Sequence, residues 1–108
     1  MLQHENIYNE TLFSGKNIPT TELSYLFKIL SDDTRLKILF VLREGEHCVF
    51  HISEKVSMKQ SSVSHQLKTL RQYKVVKVRR EGRQAFYSLT DEHIFQLLDI
   101  GLTHILEE

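Results

Sequence analysis

The sequence predicts a mainly α-helical fold with one β-hairpin, and three observations lead there. Apolar residues recur at intervals of three and four over most of residues 20–71 and again after residue 90, a spacing that keeps them on one face of a helix. Between those stretches, Val75–Arg80 and Gln84–Leu89 are rich in β-branched and aromatic residues and flank Glu81-Gly82-Arg83, which reads as two strands around a reversal. Size is the third: 108 residues fill one hydrophobic core and not two.

Each element has its own signal. Residues 1–18 mix polar, aromatic and apolar types without period, and Ser14-Gly15 and Pro19 interrupt them, so they are read as an arm ahead of a domain spanning 19–108. From Thr20 onward, Leu23, Leu26, Phe27 and Leu30 make the first helical stripe. Ser31 is the expected N-cap of a second helix, with Asp32 and Asp33 suited to its first turn. That helix carries Leu36, Ile38, Leu39 and Leu42 and stops at Gly45. A shorter helix follows Glu46 with Ile52 and Val56, and Ser57–Arg71 holds a fourth whose narrow apolar stripe is Val63, Leu67 and Leu70. After the hairpin, Thr90 is the expected cap of a last helix with a broad apolar face of Ile94, Leu97, Leu98, Gly101, Leu102 and Ile105. The order is four helices, a hairpin and a helix, with no internal repeat.

Charge adds a functional signal that the total conceals. The chain has 14 basic and 14 acidic residues, yet from Ser57 to Arg83 there are eight basic residues and one acid, Glu81. A polyanion feels that local field within a Debye length, whatever the net charge. The single cysteine, Cys48, has no internal disulfide partner. The first residues, MLQHENIYNE, lack the basic and then apolar regions of a secretion signal, and no apolar run reaches the ~18 residues of a membrane span. These features point to a soluble cytoplasmic protein with a reduced thiol and no membrane partner.

Two helices joined by a tight turn and followed by a basic hairpin form the layout of a winged helix-turn-helix. In that layout the second helix enters the major groove, where short polar side chains let it approach the base edges. Gln60, Ser61, Ser62, Ser64 and His65 meet that need, Lys59 and Lys68 flank them, and Arg79, Arg80 and Arg83 at the hairpin tip suit phosphate or minor-groove contact. A solvated helix start and a soluble turn would explain either feature alone. Their coincidence with the basic segment favours double-stranded DNA as the partner.

The run Ser61-Ser62-Val63-Ser64-His65-Gln66-Leu67-Lys68-Thr69-Leu70, with Gly82-Arg83-Gln84 and Tyr87-Ser88-Leu89 downstream, resembles the ArsR/SmtB family of bacterial metal-sensing repressors. The likeness covers about Leu23 to Glu107. It implies a homodimer, joined through its terminal helices, that blocks transcription at a palindromic operator until an inducer releases it.

The last helix holds the residues for such an inducer. Asp91 and His93 stand at its start, and His104 and Glu107 at its end; zinc accepts imidazole and carboxylate together. His93 and His104 are eleven positions apart, ~16 Å along a helix, whereas zinc holds its ligands ~2 Å away. One subunit cannot close such a site. An antiparallel partner helix would, giving two identical sites per dimer, each with Asp91 and His93 from one subunit and His104 and Glu107 from the other. The four residues also match the interhelical sensor site of the family that the chain resembles. Each residue alone is explained as well by helix-end chemistry, and the joint pattern favours a metal. Zn(II) is the expected inducer, and Co(II) and Ni(II) accept the same nitrogen and oxygen donors.

A second cluster is Cys48-Val49-Phe50-His51, where some family members carry Cys-Val-Cys-Asp. Phe50 replaces the second cysteine, so a three-thiolate site for arsenite, lead or cadmium cannot be built from one chain. A mixed site of His47, Cys48 and His51, with His4 from the partner's arm, stays open. The competing reading, a small half-buried thiol among surface histidines, is favoured. Three other functions remain: a constitutive DNA-binding regulator, a metal-buffering protein and a hydrolase. The last is weak, because the chain has no nucleophile elbow and no HExxH motif.

Overall fold

The computed structural model describes residues 18–107. The helices are α1 (Thr20–Leu30), α2 (Asp33–Arg43), α3 (Val49–Val56), α4 (Gln60–Gln72) and α5 (Glu92–Leu106), and the strands are β1 (His47–Cys48), β2 (Val76–Glu81) and β3 (Gln84–Leu89). The three strands form one antiparallel sheet in the order β1-β3-β2. This is the mainly α, hairpin-bearing fold expected, with one strand more.

That strand is β1, which pairs His47 with Tyr87 and Cys48 with Phe86. Two residues have no alternation to detect, so its strand character comes from β3 and not from its own sequence. The hairpin is tighter than expected: Glu81 pairs with Gln84, leaving only Gly82 and Arg83 to turn, and Gly82 takes φ 61°, a left-handed value that glycine adopts without steric cost.

Two helix caps fall one residue later than the sequence reading placed them. Asp32, not Ser31, caps α2, its carboxylate accepting from the Arg35 amide at 3.0 Å. Ser31 instead closes α1, its hydroxyl donating to the Lys28 carbonyl. Likewise Asp91, not Thr90, caps α5, while the Thr90 hydroxyl donates to the Lys74 carbonyl at 2.7 Å. Both cases share a cause. In each the neighbouring hydroxyl is committed to a preceding carbonyl, and the backbone geometry leaves the carboxylate to accept from the first amides.

The core joins α1, α2, α3, α4, the hairpin root and the first half of α5. Ile38, Leu39, Ile52, Val63, Leu67, Leu70 and Val75 are fully buried, and Ile94 and Leu98 close it from α5. Arg35 ties three elements, its Nε donating to the Gln66 side chain of α4 at 2.8 Å and its terminal nitrogen to the Ile29 carbonyl of α1. Arg43 of α2 pairs with Asp99 of α5 and lies 4.8 Å from the Phe95 ring centroid. The described helices include none long and apolar enough to cross a membrane.

Candidate nucleic-acid interface and metal ligands

Helix α4 is built to be held on one side and free on the other. Val63, Leu67 and Leu70 are fully buried, while Lys59, Gln60, Ser61, Ser62, Ser64, His65 and Lys68 are exposed. The side-chain hydrogen bonds made from this helix are those of Gln66 to Arg35 and of Thr69 to the His65 carbonyl. Among the described residues, Gln60, Ser61, Ser62, Ser64 and His65 therefore keep their side-chain donors and acceptors for an outside partner. Lys59, the N-cap residue, makes no side-chain capping bond, so its side chain takes up none of the first-turn amides. Ser57, where the sequence reading began this helix, is instead the left-handed closing residue of α3, with φ 56° and ψ 50°.

The hairpin arginines divide. Arg80 and Arg83 are exposed and, among the described residues, unpaired. Arg79, expected with them as a phosphate contact, is engaged within the chain. Its guanidinium donates to both Glu46 carboxylate oxygens, at 2.8 and 3.0 Å, approaches Glu81 at 3.6 Å, and lies over the Phe86 ring. The hydrogen-bonded Arg79 guanidinium holds the Glu46 carboxyl below the usual carboxylate range, and Glu46 in turn raises Arg79. Arg79 thus ties the hairpin to the segment before β1.

The four ligand candidates of α5 fall into two groups. One oxygen of Asp91 accepts from the amides of His93 and Ile94 at 2.9 and 3.2 Å. Its other oxygen lies 3.5 Å from His93 Nδ1. Two donors on a tetrahedral zinc, each ~2.0–2.1 Å from the ion, stand ~3.3 Å apart, so Asp91 and His93 already approximate one edge of such a polyhedron. At the other end, His104 and Glu107 are exposed and border a shallow groove with Asp99, Ile100 and Thr103. Glu107 has left the helix as its C-cap, its amide bonding to the Thr103 carbonyl. Among the described residues no three histidine, cysteine, aspartate or glutamate side chains gather as a metal-holding group within the chain. The two pairs of candidate ligands stand at opposite ends of α5.

At the second cluster, Cys48 Sγ lies 3.6 Å from His51 Nδ1. His47 is turned away, its Nδ1 within 2.8 Å of the Gly45 carbonyl, and His4 lies outside the described residues. The structure brings together two of the four candidates. What the sequence reading did not single out is the role of Glu46 and Gln66 in orienting Arg79 and Arg35, because those partners are 33 and 31 positions away.

Comparison with known proteins gives this arrangement its relatives. Residues 32–78 match the family described as bacterial regulatory protein, arsR family. A cadmium resistance transcriptional regulatory protein CadC homolog of Staphylococcus aureus is 40% identical over 84 residues, covering 77% of this chain and 69% of that protein. The crystal structure of the AntR antimony-specific transcriptional repressor superposes with a TM-score of 0.74 at 36% identity, covering 82% of this chain and 80% of the other. A homodimeric winged helix-turn-helix DNA-binding domain from Mycobacterium bovis gives a TM-score of 0.77 at 27% identity, covering 82% of each chain.

Proposed function

The chain belongs to the ArsR family of bacterial transcriptional regulators, and from that membership we propose that it is a dimeric operator-binding repressor released by a divalent metal. One observation carries the proposal: α5 holds two pairs of candidate ligands, separated along the helix, beside an apolar face that nothing among the described residues covers. Ile100, Ile105 and Leu106 are 68%, 77% and 69% exposed, and a single chain has no cause to leave such residues in water at the end of an ordered helix. An antiparallel copy of α5 covers that face. It also sets Asp91 and His93 of one subunit beside His104 and Glu107 of the other, as a twofold axis requires.

In this reading the apo dimer offers Gln60, Ser61, Ser62, Ser64 and His65 of each subunit to successive major grooves of a palindromic operator in the cytoplasm, with Arg80 and Arg83 on the flanking backbone. The bound metal supplies a fixed positive charge that prefers one subunit arrangement. It releases the operator only by binding the weak-binding arrangement more tightly, and reversing a 99:1 population takes about 5.5 kcal/mol of such preference. Zn(II) suits these nitrogen and oxygen donors, as do Co(II) and Ni(II). The cadmium and antimony responses of the relatives do not carry over directly, because soft ions favour several thiolates and this chain has one cysteine.

The test is titration of the promoter DNA of its own operon, with and without zinc, for wild type and His104→Ala. Zinc should weaken wild-type binding at least tenfold and leave the variant unchanged. A wild type that binds with equal affinity in both conditions is a constitutive regulator, and the sensor reading fails.

A further inference from the structure

Behind the exposed first turns of α4, an open cleft separates that helix from β3, and it is lined by Ser64, Lys68, Arg71, Gln72 and Tyr87. Ser64, Lys68 and Arg71 follow at intervals of four and three, so they share the helix face that looks across at the strand. Among the described residues no acidic side chain lines the cleft. Arg71 also borders a neighbouring cleft with Lys74 and Lys77, so positive charge continues from the helix to the hairpin root.

Lys68 and Arg71 belong, with Arg80 and Arg83, to a basic segment in which Arg79 alone has an acidic partner among the described residues. Elsewhere Lys37 pairs with Asp33, Arg43 with Asp99 and Lys55 with Glu44. Among the described residues neither Lys68 nor Arg71 has an acidic partner, and the Tyr87 hydroxyl has no hydrogen bond. The chain has as many acids as bases, and among the described residues none of the acids lines this cleft. Position supplies the ligand. Seven residues separate Ser61 from Lys68, ~10 Å along a helix, and the major groove is ~12 Å wide. With Ser61 at the base edges, Lys68 and Arg71 stand at the groove wall, where the phosphates are.

Resting on the operator-binding reading above, we infer that this cleft clamps a phosphodiester of the duplex, with Lys68 and Arg71 gripping it from the helix and the Tyr87 hydroxyl from β3. The Arg71 guanidinium offers a planar fork to two phosphate oxygens, Lys68 a point charge and Tyr87 a neutral donor. Such contacts fix the register of the helix on the duplex and read no bases. The clamp adds Arg71 and Tyr87 to the interface and holds helix and hairpin to a single phosphate.

Fluorescence anisotropy over a potassium chloride series tests this, using the labelled promoter duplex of its own operon and an unrelated duplex of equal length. Arg71→Gln and Lys68→Gln should each flatten the log-affinity against log-salt slope by about one unit and weaken both duplexes alike. Tyr87→Phe should weaken both with the slope unchanged, Gln60→Ala should weaken the promoter duplex alone, and Lys37→Gln should match wild type. Slopes for Arg71→Gln and Lys68→Gln equal to wild type overturn the clamp and leave operator reading intact. A wild type that binds neither duplex at low salt overturns both.

Discussion

Helices α4 and α5 are of similar length and both amphipathic, yet they stand in opposite relations to the core. In α4 the apolar stripe is complete: Val63, Leu67 and Leu70 are all at 0% exposure, and everything outward is polar. In α5 the stripe is satisfied only at its start, through Ile94 and Leu98, and then continues into water through Ile100, Leu102, Ile105 and Leu106. Helix α4 is finished by its own core, whereas the apolar face of α5 is left unfinished by the described residues. An element whose pattern exceeds what its own core can cover marks an assembly surface, and an element whose pattern closes marks a rigid platform.

Three substitutions break or sharpen this contrast. The largest effect is expected where burial is complete: Leu67→Ala should cost about 3 kcal/mol in denaturant unfolding, the usual range for such a truncation in a packed core. A loss below about 1 kcal/mol would mean that α4 is not core-anchored. Next is the exposed end of α5, where Ile105→Glu should leave folding intact and weaken self-association by about 2 kcal/mol or more, as at a central interface position. Sedimentation would then show monomer at concentrations where wild type is dimer; a variant that stays dimeric removes this face from the interface.

The smallest effect belongs to the surface tie between the hairpin and β1. Hydrogen bonding and charge from Arg79 hold the folded-state value of Glu46 below its ordinary one. Its contribution is therefore present above the unfolded carboxyl value, about 4.3, and fades as pH falls through the folded one. Glu46→Gln should lower the unfolding midpoint slightly near neutrality and converge with wild type in acid, so that the acid-side step disappears; the difference is small, as exposed ion pairs contribute little. Superimposable profiles would show that the tie adds nothing to stability.

How far the sequence reaches follows the range of each interaction. Helices α1 to α5 and the hairpin are readable because their signals repeat within a few residues. The segregation of charge at 57–83 is readable as well, since it needs only counting. Strand β1 is not, because pairing with Tyr87 and Phe86 defines it and two residues carry no period. Arg79 looks like one more free cation until folding brings Glu46 beside it from 33 positions away. The caps were displaced because neighbouring residues of similar capping strength, Ser31 beside Asp32 and Thr90 beside Asp91, are separated only by backbone geometry. For the candidate metal ligands, the sequence supplies the four residues and the length of helix that keeps them apart. The approach of Asp91 to His93 required the fold.

Asp91 has two duties on one carboxylate: one oxygen starts α5, and the other faces His93. In genetic terms the four candidate ligand positions are therefore unequal. Under the proposed function, loss of His93 or His104 would yield an allele that still assembles and stays closed on its operator, a dominant, uninducible repressor. Loss of Asp91 would also fray α5, the helix proposed to join the subunits, so inducibility and assembly would decline together and the allele would be recessive. Selection acting on metal response alone can change the histidines; at Asp91 it also acts on the fold.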